Sequence, residues 1–70
     1  MTIRDAEERI LVLNERAAAC EREADEFASR GQWQAAHEAR TAGMGWYRRA
    51  AVLAERIVCR RRELRRRVEA

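Results

Sequence analysis

A chain of 70 residues with three glycines, no proline and a net charge of +3 forms one domain at most. Its core is too small for easy independence without a disulfide, a metal or a second copy. No apolar run approaches bilayer length, and Met1-Thr2-Ile3-Arg4-Asp5 has neither the basic start nor the apolar stretch of a signal peptide, so no membrane association and a cytoplasmic location are expected.

The abundance of alanine, glutamate and arginine favours helix. The first helix is expected over residues 2–30. Thr2 is placed to cap it, and Asp5 follows near the positive end of the helix dipole. From there the apolar residues keep a heptad. Ile3, Ile10, Ala17 and Ala24 are spaced by seven, and Ala6, Leu13, Cys20 and Phe27 form a second series offset by three. This is the pattern of a helix that packs along another, as in a coiled coil. Asp5–Arg9 and Glu26–Arg30 have the spacing of stabilising pairs on its solvent face.

Gly31 is suited to the left-handed residue that ends a helix, and residues 31–32 are read as the turn. A second helix is expected over residues 33–68, with Ala36, Ala39, Gly43, Trp46, Ala50, Leu53, Ile57 and Leu64 along its seam. A short connection between two long helices makes them antiparallel neighbours. Gly43 and Gly45 each cost about 1 kcal/mol relative to alanine inside a helix. Gly43 nevertheless lies on the seam, and folding about Gly31 brings it opposite Cys20, where a missing side chain lets the backbones approach. The helix is expected to continue through it.

The motif Ala24-x-x-Phe27-x-x-x-Gly31-x-Trp33-x-x-Ala36 resembles the turn region of a tetratricopeptide-repeat or microtubule-interacting-and-transport helical hairpin. In those families a small residue, an aromatic, a turn glycine and a second aromatic recur at this spacing. The resemblance covers about twenty residues, up to Gly43, and no second copy follows. It departs at His37, where the repeat takes an aliphatic residue. It implies the hairpin geometry, and not a peptide-binding groove, which one repeat does not form.

The fold class expected is therefore all-α: a long antiparallel helical hairpin that dimerises into a four-helix bundle. The reason for the dimer is surplus apolar surface. Met44, Tyr47, Ala51, Ala54 and Val58 make a regular stripe beside the second seam, and Leu11 and Ala18 lie off the first. These seven are the candidate dimer or protein-binding residues. A two-fold pair of hairpins is the simplest closed solution.

Charge divides the chain. Residues 1–29 carry four arginines against eight acids, for −4, and the remainder eleven arginines against four acids, for +7. The end of the second helix concentrates Arg60, Arg61, Arg62, Arg65, Arg66 and Arg67, candidates for contact with nucleic acid or an acidic partner. Against nucleic acid, these arginines point all round the helix and no aromatic is interleaved for base stacking.

No catalytic constellation, phosphate-binding loop or metal-ligand spacing is found, so no enzyme, cofactor, metal or small-molecule substrate is expected. Cys20 and Cys59 stand roughly 25 Å apart along such a hairpin, beyond disulfide reach. His37 reads as a surface histidine near Asp25 or Glu26. The reading is a small non-enzymatic homodimer that binds a host or cellular protein. Its size and layout are similar to phage-encoded helical inhibitors or adaptors of proteins such as transcription regulators. The all-arginine basic set fits a GC-rich bacterial or phage genome. The alternative is a nucleic-acid-binding hairpin that uses the arginine-rich end.

Overall fold

The computed structural model describes residues 1–69. Two helices, α1 (Ile3–Ser29) and α2 (Trp33–Glu69), pack against each other as an antiparallel hairpin, with no strand among the described residues. The rod measures 60 × 15 × 14 Å. Its radius of gyration is 16.8 Å, against about 11 Å for a compact domain of this length.

Local chemistry fixes the ends of α1. The Asp5 N–H donates to Thr2 Oγ1 at 3.1 Å, and the Thr2 N–H donates to Asp5 Oδ2 at 3.3 Å. This reciprocal capping box satisfies two backbone donors that have no partner within the helix. It also occupies Asp5, and among the described residues the pair expected with Arg9 does not form; Arg4–Glu8, at 3.6 Å, takes the i,i+4 role. At the other end Arg30 is the cap residue, and no Glu26–Arg30 pair forms among the described residues. The Gln32 N–H donates to the Phe27 carbonyl at 2.9 Å and the Gly31 N–H to the Ala28 carbonyl at 3.0 Å. These are the two bonds of a Schellman turn, and Gly31 takes its required left-handed conformation at φ +75°. The chain reverses within Arg30–Gln32, and the Gln32 carbonyl accepts the first bond of α2 from Ala36 at 3.0 Å.

The core between the helices is narrow. Its buried apolar residues are Ala6, Leu13, Ala17 and Ala24 from α1 and Ala36, Ala50 and Ile57 from α2, and Gly43 is buried with them. On α2 these positions repeat every seven residues. Five of the seven apolar members are alanine, so the helices meet backbone to backbone and little bulky side chain is removed from water. Helix α2 runs unbroken through Gly43 and Gly45. A Cβ on Gly43 would stand 3.2 Å from Cys20 Cβ and 3.4 Å from the Ala17 carbonyl oxygen, so the lost helix propensity is exchanged for close approach.

Leu64, expected on the seam, is exposed. It lies seven residues past Ile57, the last seam residue that α1 covers. Arg61, at the start of the overhang, reaches back across to Glu7. With 27 residues in α1 and 37 in α2, the second helix projects roughly 15 Å past the first at 1.5 Å per residue.

Candidate functional site

At 100° per residue, positions seven apart form nearly straight lines along each helix. On α2 the line Arg40, Tyr47, Ala54 and Arg61 lies to one side of the seam. Its two end members cross to α1: Arg40 Nη2 stands 3.6 Å from Asp25 Oδ1, and Arg61 pairs with Glu7. Asp25 itself ends the α1 line Arg4, Leu11, Ala18 and Asp25. The two ion pairs therefore bracket one lateral flank, and between them lie Leu11, Asn14, Ala18 and Glu21 from α1 and Tyr47 and Ala54 from α2. The next α2 line out, Met44, Ala51 and Val58, widens it. All seven sequence-selected contact residues fall on this flank. Leu11 is 64% exposed, Met44 54%, Val58 47% and Tyr47 41%; the α2 residues form one apolar stripe, and the exposed polar Asn14 and Glu21 separate it from Leu11 and Ala18 on α1.

The tail arginines divide into two groups. Arg60 pairs with Glu63 at 3.3 Å and Arg61 with Glu7. Arg62, Arg65, Arg66 and Arg67 are exposed and join no ion pair among the described residues. Arg66 and Arg67 occupy the last turn of α2, where positive charge complements the helix dipole.

The flank on the other side of the seam was not singled out from sequence. Here Trp46, three residues past Gly43, is half-buried, with the Arg16 guanidinium 5.0 Å and the Arg49 guanidinium 4.8 Å from its ring centroid. Arginine suits this position because its planar group stacks on an indole while keeping its outer donors free. Two hollows of about 410 and 580 Å³ adjoin along the same flank and share Met1, Leu53 and Arg56 in their walls. Leu13, Val52, Ile3 and Ile57 contribute apolar floor; Arg9, Arg48, Arg49 and Arg60 contribute rim. The heptad offers the signal that finds this flank: Arg9 and Arg16 are seven apart beside one seam, as are Arg49 and Arg56 beside the other.

Cys20 is half-buried and Cys59 exposed, and both are free thiols. His37 is exposed, and its carbonyl accepts from Thr41 Oγ1 at 3.0 Å. Asp25, expected near His37, pairs with Arg40 instead. Among the described residues no group of three or more His, Cys, Asp or Glu side chains is placed to hold a metal ion, and no helix is long and apolar enough to cross a membrane.

Comparison of the chain with protein families, curated proteins and solved structures returns no match.

Proposed function

We propose that this chain is a non-enzymatic protein-binding module that acts as a homodimer, two hairpins joining into a four-helix bundle through the flank of Leu11, Ala18, Met44, Tyr47, Ala51, Ala54 and Val58. The observation that carries this reading is the exposed apolar stripe of Met44, Tyr47 and Val58 on α2, between the Arg40–Asp25 and Arg61–Glu7 pairs. Surface area supports it. The chain exposes 5701 Å², whereas a compact monomer of 8.2 kDa exposes about 4,500 Å². The excess, about 1,200 Å² per chain, is larger than the roughly 800 Å² that a standard interface removes from each partner. A two-fold axis through the flank closes the assembly and leaves no repeating apolar edge. The dimer is read as an accessory protein of phage or bacterial type that engages a host protein, as an inhibitor or adaptor does.

Light scattering after size exclusion tests the dimer. The wild type is expected at twice the 8.2 kDa chain mass, and the Tyr47→Glu/Val58→Glu variant at the mass of a single chain with its helicity retained. A wild type that is monomeric at high micromolar concentration overturns the reading.

The four arginines beyond α1 that join no ion pair among the described residues favour a second reading, in which the overhang binds nucleic-acid phosphates. Titration with duplex DNA at two salt concentrations separates the two, because phosphate contacts weaken steeply as salt rises. Absence of binding at low salt removes this reading.

A further inference from the structure

The flank opposite the proposed dimer surface has a different chemistry. Of its arginines, Arg9, Arg16, Arg48, Arg49 and Arg56 join no ion pair among the described residues. This contrasts with the apolar flank, where acids of α1 neutralise both Arg40 and Arg61. The concentration of like charge beside a seam opposes self-association through this side. Between the arginines the surface is apolar rather than polar: Leu53 and Leu13 line the hollow, and Val52 is 48% exposed. Along α2 the groove runs from Arg48 to Arg60, roughly 18 Å at 1.5 Å per residue, or more than three helical turns.

We infer that this groove is the docking site for an acidic amphipathic helix of a partner protein, its apolar residues seated on Val52 and Leu53 and its carboxylates paired with Arg9, Arg49 and Arg56. Charge complementarity selects the occupant. Arg49 and Arg56 are seven residues apart, as are Arg9 and Arg16, so each pair is spaced about 10.5 Å, which matches carboxylates one heptad apart on a facing helix. A guanidinium forms paired hydrogen bonds with a carboxylate. The floor argues against a nucleic-acid strand, because a phosphodiester chain presents nothing apolar to cover it. Trp46, the aromatic of this flank, already has two guanidinium groups against its ring and is not a free platform for base stacking. Helix-in-groove binding reads the partner through apolar anchors, with charge at the rim setting orientation and rate. The inference rests on the protein-binding reading but uses the flank that the dimer leaves open.

The test uses the full chain and a fluorescein-labelled synthetic helix of about three heptads, leucine at its a and d positions and glutamate at its flanks. The control peptide carries lysine for glutamate, and a single-stranded oligonucleotide serves as the third probe. Fluorescence anisotropy is expected to show saturable micromolar binding of the glutamate peptide and none of the lysine peptide. The Arg49→Glu/Arg56→Glu variant should lose about tenfold or more in affinity. The milder Arg49→Gln/Arg56→Gln variant should lose part of it, with helicity checked by circular dichroism in each case. The Tyr47→Glu/Val58→Glu variant is expected to bind the peptide as the wild type does. That holds whether or not it dimerises, so failure of the dimer and failure of the groove give different results. The inference is overturned if the glutamate peptide does not bind, if the arginine variants bind it undiminished, if the Tyr47/Val58 variant alone loses it, or if the oligonucleotide binds more tightly than the peptide.

Discussion

The α carbon of Gly43 faces Cys20 so closely that a methyl group added there would lie 3.2 Å from Cys20 Cβ. That contact sets the separation of the two helices midway along the rod, and with it the distance across which Arg16 and Arg49 meet over Trp46.

Two alanine substitutions in the same helix isolate this effect. Nothing stands within 4 Å of a Cβ added at Gly45, so Gly45→Ala should raise stability by about 0.5–1 kcal/mol through helix propensity. Gly43→Ala gains the same propensity but must push apart Cys20 Cβ and the Ala17 carbonyl, both fixed to the α1 backbone. Overpacking of this kind costs about 1–3 kcal/mol. Urea denaturation should therefore find Gly43→Ala less stable than Gly45→Ala by about 1 kcal/mol or more. Equal midpoints would mean that the helices do not touch at this point.

Gly31 tests the turn. Its φ of +75° is left-handed, and a Cβ there meets no neighbour, so only backbone conformation is at stake. Gly31→Ala should destabilise the hairpin by about 1–2 kcal/mol, and Gly31→Asn by less, because asparagine tolerates this region. Thermal melts of the three proteins should rank glycine, asparagine, alanine; a melt of Gly31→Ala unchanged from wild type would contradict the turn.

Leu13 is 2% exposed in a core otherwise made mostly of alanine. Leu13→Ala should cost about 2–5 kcal/mol, a large share of what a chain this small has to lose. Circular dichroism is expected to show lost helicity or a strongly lowered melting midpoint. Leu11→Ala, two residues away on the apolar flank, should leave the isolated hairpin nearly unchanged and act on association instead. Equal effects of the two on folding would place both in the same core.

The hairpin was legible in the sequence where one helix's periodicity was enough. The heptad of Ile10, Ala17 and Ala24, the left-handed role of Gly31 and the placement of Gly43 against Cys20 each follow from spacing alone. What spacing concealed depended on competition or on geometry between helices. Asp5 has both a backbone amide to cap and Arg9 one turn away, and the uncompensated donors at the helix start take it. Arg61 is drawn back to Glu7 from the start of the overhang, a pairing between helices that spacing within one helix does not show. The arginine groove was missed because Arg9 and Arg49 are forty residues apart in the chain. They share a flank only once the antiparallel pairing fixes which sides of the two seams meet.

The self-association proposed for the Leu11–Tyr47–Val58 flank is tested most directly by an isotope-filtered nuclear Overhauser experiment on a mixture of labelled and unlabelled chains. Intermolecular contacts are expected from the Tyr47 ring to the methyl groups of Leu11, Met44 or Val58 on the other copy. A spectrum with no intermolecular contacts, or with contacts confined to Leu64 and Val68 on the overhang, would contradict the bundle.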